Sequence, residues 1–178
     1  RRQRQMCIRD RQVTRFLRWE PHKNALETLG LLAAWATLYP NPDYYQWAIV
    51  EKASGQVFGS IGIFNAALGD AGQKAFWPEL DPSGGIWEAG YCIGRSWWNK
   101  GLATEALKAV TAYWFSHTDG DWLTCCHAKA NPASGRVMEK AGFVYHHDTV
   151  DHKFDGTPVE CKSYLLTRER YEHRKDLP

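Results

Sequence analysis

The sequence predicts an α/β (α+β) fold, with one mixed, mostly antiparallel sheet, a central strand–helix–strand unit and helices on both faces. Three observations lead there. β-type runs come in pairs around glycine turns, at 45–64 and again at 143–166, as antiparallel hairpins do. Between them a strand at 86–93 passes through a glycine-bearing turn into a helix and then a strand at 122–128, the pattern of a crossover. In that helix Leu102, Ala106, Leu107, Val110 and Trp114 recur at helical spacing.

The elements follow in order. Residues 13–20 (VTRFLRWE) lead into Pro21 and His22, and Asn24 is placed to cap a helix carrying Leu26, Leu29, Leu32, Ala33 and Ala36. Pro40-Asn41-Pro42 stops that helix. The runs 45–50 and 57–64 flank the turn Lys52-Ala53-Ser54-Gly55. Residues 65–85 are rich in glycine and proline and read as a long loop, a lid or binding element. In the next strand, alternation puts Ile86, Glu88, Gly90 and Cys92 on one face and Trp87, Ala89, Tyr91 and Ile93 on the other. The following helix runs to about His117, and Asp119-Gly120 turns the chain into the strand at 122–128. Asn131-Pro132-Ala133-Ser134 starts another helix, with Val137, Met138 and Ala141 inward and Gly142 at its end. The last hairpin turns at Asp155-Gly156-Thr157-Pro158, and a charged tail, helical or frayed, follows Arg168.

With 178 residues, nine tryptophans and 13% aromatics, this is a globular chain long enough for a real core. It divides into an arm (1–11), a single domain (12–170) and a charged tail (171–178). Residues 1 to 11 hold five of the 22 basic residues and one of the 20 acidic ones, so the body carries a charge of −2. The arm reads as non-native to the fold, because residues 6–11 resemble translated adapter sequence. No basic stripe continues it, so nucleic acid is not an expected partner. No apolar run reaches membrane-span length, and a soluble, cytoplasmic chain is expected. The cysteines are Cys7, Cys92, Cys125, Cys126 and Cys161. Their odd number and the lack of a C-x-x-C argue for reduced thiols rather than disulfides or zinc. No metal site is expected.

The chemistry concentrates at two helix starts. Gly94 ends a strand, and Gly101 opens a helix whose first amides have no intrahelical partner, a potential anion site. Asn131 to Ser134 opens the second helix. Each follows a strand, and the crossover should bring both helix N-termini to one end of the sheet. The motifs here are Trp98-Asn99-Lys100-Gly101-Leu102-Ala103 with Thr104-Glu105-Ala106, and Asn131-Pro132-Ala133-Ser134 with Val137-Met138-Glu139-Lys140-Ala141-Gly142-Phe143. On these motifs the chain resembles the GCN5-related N-acetyltransferases (GNAT), more narrowly their RimJ/RimL-like ribosomal-protein-alanine branch, over roughly 12–170. Trp98 departs from the family's usual Arg or Gln but fits the WxKGxATEA form common in the branch.

The resemblance implies a bacterial, cytoplasmic enzyme that moves acetyl from acetyl-CoA to a primary amine, on a protein N-terminus or a small molecule. It also implies that the family's first strand is missing here. The Trp98, Asn99, Lys100, Gly101, Leu102, Ala103 and Thr104 segment would hold the pyrophosphate, and Tyr91, Cys92 and Ile93 would run beside the pantetheine arm. Asn131 would bond the pantetheine or the acceptor. Ser134 would donate to the leaving thiolate or serve only as a helix-start residue. The reaction needs a neutral amine and hence a base. Glu88 is the candidate, and His127, with a pKa suited to neutral pH, is the rival. Trp19, Glu20 and His22 would line the acceptor pocket. An acyl-CoA-binding or sensing module without transfer activity is the alternative function, and the chain is expected to be a monomer or homodimer.

Overall fold

A computed structural model describes residues 8–65, 77, 80 and 85–175. The described residues form six strands: β1 (Tyr45–Val50), β2 (Val57–Asn65), β3 (Trp87–Ile93), β4 (Trp122–Ala128), β5 (Val144–His152) and β6 (Pro158–Thr167). They also include the α-helices α1 (Arg11–Thr14), α2 (Ala25–Leu38), α3 (Leu102–His117), α4 (Pro132–Ala141) and α5 (Arg168–Lys175), with a short 3-10 turn at Arg95–Trp97. The strands form one sheet in the order β1-β2-β3-β4-β6-β5. β3 and β4 pair in parallel and every other neighbouring pair is antiparallel, as the expected fold class requires. What the sequence does not reveal is that β6 lies between β4 and β5.

The period-3.6 pattern of α3 buries Leu107, Val110, Thr111, Trp114 and Phe115. They pack with Met138 and Ala141 of α4 on Ile61, Ile63, Ala89, Leu123, Cys125 and Leu166 of the sheet. Gly142 ends α4 at φ 107°, in the left-handed region that side chains avoid. The opposite face has a smaller cluster, in which Val13 of α1 and Leu17 cover Cys92. Trp87, Ala89 and Tyr91 therefore face α3 and α4 while Cys92 faces away, as alternation along β3 predicts.

The fold reaches into the arm that the sequence set apart. Ile8 is buried, and its carbonyl accepts the N–H of His22 at 3.2 Å. Asp10 caps α1 by accepting the Gln12 N–H at 2.8 Å, and it pairs with Arg95 at 3.6 Å. One apolar residue and one capping aspartate do this, and an arginine-rich composition hides both. In α2 the Asn24 carboxamide oxygen accepts the N–H groups of Leu26 and Glu27, as expected of a cap. The leucines do not mark an inner face, however: Thr28 is the buried residue of α2, and Leu26 is 77% exposed. The loop expected over 65–85 lies mostly outside the described residues. Within it Trp77 is buried against His146 and His147 of β5, at ring separations of 4.6 and 4.8 Å. No helix among the described residues is long and apolar enough to cross a membrane.

Candidate active site

The turn between β3 and α3 is held from both sides. The Trp98 indole N–H donates to the Ile93 carbonyl at 2.7 Å, Trp97 stacks on Phe58 at 4.4 Å, and the Lys100 ammonium lies 4.9 Å from the Trp97 ring centre. Asn99 (φ 59°) and Gly101 (φ 78°) both adopt left-handed backbone, which bends the chain into the helix. No side chain caps α3, so the first amides (Leu102, Ala103 and Thr104) have neither a helical nor a capping partner. A Cβ built on Gly101 would meet no atom within 4 Å. The end of α3 is thus open, with its amides and helix dipole suited to an anion.

Beside it the sheet parts. The β3–β4 register holds only Glu88 opposite Thr124 and Ala89 opposite Cys125. Thr124 Oγ1 and Cys125 Sγ reinforce it by donating to the carbonyls of Trp87 and Ala89, both at 3.0 Å. Beyond Ala89 the ladder stops while both strands continue, so Tyr91, Cys92 and Ile93 border a gap. An extended chain bearing amides would find there the backbone of Tyr91, which faces the β4 side with no ladder pair.

The second helix start stands across that gap. Asn131 makes no side-chain capping bond to α4. Ser134 does not cap its helix either: its Oγ lies 2.8 Å from the Tyr91 hydroxyl, which also lies 3.0 Å from the Ser134 carbonyl oxygen. His127 is in a different place from Glu88. Its neighbours Cys125 and Tyr164 belong to the core under α3 and α4, whereas Glu88 opens on the other face. Its Nδ1–H donates to the Ala128 carbonyl at 2.8 Å, and Nε2 is buried without a hydrogen bond. A Cβ on Gly135 would sit 2.7 Å from Nε2, so the ring fills the space beneath α4. The structure does not bring His127 to Glu88.

Glu88 lines a cavity of about 180 Å³ with Arg18, Phe64, Trp77, Cys126, His147 and Asp151 among its walls. Burial, with the Asp151 carboxylate adding to it and Arg18 opposing it, raises the Glu88 pKa from 4.5 to about 7. Such a carboxyl group is divided between its two protonation states at neutral pH, which suits proton exchange with an amine. Arg18 is fixed at three points: Nε donates to the His152 carbonyl at 3.1 Å, the guanidinium pairs with Asp151 at 3.5 Å, and it lies 5.6 Å from the Phe154 ring centre.

The expected acceptor-side residues have other partners. Glu20 pairs with Lys153 at 2.9 Å, His22 Nδ1 lies 3.0 Å from the Thr28 hydroxyl, and the Trp19 indole N–H is buried without a bond. None of the three lines the cavity; their neighbour Arg18 does.

A family model described as an acetyltransferase (GNAT) domain matches residues 4–144. The chain belongs to the GNAT acetyltransferase family. It is 24% identical over 165 residues to YoaA of Bacillus subtilis (strain 168), an uncharacterized N-acetyltransferase, covering 92% of this chain and 85% of that protein. Two solved structures share the GNAT fold. Spermidine N-acetyltransferase from Vibrio cholerae, in complex with CoA and spermine, superimposes with TM-score 0.71 at 15% identity, over 94% of this chain and 89% of that one. The aminoglycoside acetyltransferase AAC(6')-Ib, in complex with coenzyme A and kanamycin, does so with TM-score 0.71 at 17% identity, over 97% and 91%.

Within this GNAT domain, sequence reasoning missed Arg18, Trp77, His147 and Asp151 of the cavity. For β5 a signal existed, since His147, Thr149 and Asp151 alternate on one strand face. Nothing in the sequence placed that face beside Glu88.

Proposed function

We propose that this GNAT domain transfers acetyl from acetyl-CoA to a primary amine, with Glu88 as general base. The observation that carries the reading is the open, uncapped start of α3 at Gly101 beside the gap where the β3–β4 ladder ends. These residues fit the cofactor. The amides of Lys100, Gly101, Leu102, Ala103 and Thr104, with Trp98 and Asn99 shaping the turn, would hold the pyrophosphate. The edge formed by Tyr91, Cys92 and Ile93, and the Asn131 carboxamide, would bond the pantetheine. When bound, acetyl-CoA supplies an activated acetyl thioester. Cys92 would contribute by its place on the edge alone, because its thiol is buried against Val13 and its backbone faces β2 in register with Ser60.

Glu88 would take a proton from the acceptor ammonium or from its nitrogen as the new C–N bond forms. The aromatic walls Phe64 and Trp77 and the carboxylates of Glu88 and Asp151 suit a cation. A cavity of about 180 Å³ has room for an alkylamine or the first residue of a protein N-terminus. The spermine and kanamycin in the two related structures are likewise amines, which supports the acceptor class. The Trp98 to Ala106 sequence supports the RimJ/RimL-like branch.

Titration calorimetry of acetyl-CoA into the wild type and Gly101→Glu tests this. Binding by the wild type and a loss of at least 100-fold in the variant are expected. A variant that binds as well as the wild type would remove the pyrophosphate assignment.

A further inference from the structure

The bond between Tyr91 and Ser134 spans the gap. Tyr91 stands on β3, two residues beyond the last ladder pair at Ala89, and Ser134 stands in the first turn of the helix that follows β4. The pair lies on the face covered by α3 and α4, and Glu88 opens on the other. The two hydroxyl groups therefore stand at the gap on one face, while the Glu88 carboxyl group opens on the opposite face at the ladder pair just before it.

The hydroxyls carry two protons for three oxygen atoms. The Ser134 carbonyl can only accept, and in α4 it already faces the N–H four residues on. If Tyr91 donates to that carbonyl, the Ser134 proton turns back onto the phenol. If Tyr91 donates to Ser134 Oγ, the Ser134 proton is released to point elsewhere, and the hydroxyl becomes a stronger donor through polarisation. Burial raises the Tyr91 pKa, with the Ser134 hydrogen bond opposing it weakly, so the phenol stays protonated. The thiol of Cys125 alongside is also raised by burial and donates to Ala89.

We infer that Tyr91 is a positioning residue: it donates to Ser134 Oγ and so aims the Ser134 proton into the gap as a hydrogen-bond donor to a thiolate sulfur. This rests on the acetyltransferase reading above. No proton leaves the pair; when a C–S bond breaks and sulfur keeps the electrons, Ser134 Oγ–H meets the new charge.

The test is the thiol titration of CoA bound to the protein, followed by thiolate ultraviolet absorbance against ligand-free protein. It uses the wild type, Tyr91→Phe, Ser134→Ala, the double variant and Ser134→Thr. Loss of a donor to a charged sulfur should raise the bound thiol's titration midpoint by about one pH unit in Ser134→Ala. Tyr91→Phe should raise it by about half as much, the double variant no further than Ser134→Ala, and Ser134→Thr should match the wild type. CoA affinity measured at pH 6, with the thiol protonated, should stay within about twofold throughout. A wild-type midpoint in Tyr91→Phe overturns the inference, as does a Tyr91 effect that persists in the Ser134→Ala background. Failure of the wild type to bind CoA is a separate result, and it overturns the acetyltransferase reading together with this one.

Discussion

The two ends of the candidate site are built in opposite ways. The α3 end is one continuous stretch, residues 93 to 104, whose working groups are backbone amides fixed by local turns. The cavity at Glu88 gathers side chains from Arg18, β2, β3, β4, β5 and β6. A backbone site depends on a single bend of the chain, and a side-chain site depends on the whole sheet being assembled. Substitutions at the first should abolish ligand binding outright. At the second they should tune rate and pH dependence.

The sharpest way to break that contrast is Glu88→Gln. Its kcat should fall by about 10²–10⁴-fold, the usual worth of a general base, while acetyl-CoA affinity stays within twofold. A comparable loss of cofactor binding would mean the two ends are not separable. In the wild type, kcat/KM should rise with pH and level off above about 7, where Glu88 is deprotonated. The neighbours of Glu88 should move that limb in opposite directions. Asp151→Asn removes a charge that raises the Glu88 pKa and should shift the limb to lower pH. Arg18→Met removes one that lowers it and should shift the limb to higher pH. Parallel shifts would mean that both variants act by deforming the cavity.

The same carboxyl group bears on stability. Its folded pKa lies above the ordinary 4.5, so between 4.5 and about 7 the native state holds more proton than the unfolded chain. Its contribution is most favourable below 4.5 and is lost as the pH rises through 7. Glu88→Gln should therefore gain melting temperature relative to the wild type as the pH is raised from 5 to 8, while losing activity. The smallest effect is expected at the outer tie between Glu20 and Lys153, where Glu20 is mostly exposed. Lys153→Met should cost no more than about 0.5 kcal/mol in a denaturant titration and leave KM unchanged.

The same contrast explains what could be read in advance. Gly101, the helix it opens and the glycine turns of the hairpins are short-range signals, and strand and helix positions agreed with the structure to within a few residues. The parallel β3–β4 pair followed from the crossover. Arg18 and Asp151 lie 133 residues apart in sequence and meet only in the assembled fold, where β6 enters between β4 and β5 and sets β5 at the sheet edge. No local pattern encodes that insertion. For His127, the rival base, the sequence places it at the end of its strand, but which face it occupies relative to Glu88 depends on packing beneath α4. Asp10 caps α1 from within a stretch whose arginine-rich composition masks it.

The two-rung ladder between β3 and β4 has a mechanical meaning. The sheet is two three-stranded antiparallel halves, β1-β2-β3 and β4-β6-β5, joined along a seam of two register pairs and two side-chain stitches from Thr124 and Cys125. The helical layer of α3 and α4 backs the seam like a hinge plate, while its far end stays unzipped. A ligand lying in that cleft would be a splint, and its loss would let the halves breathe against each other about the pairs at Glu88 and Ala89.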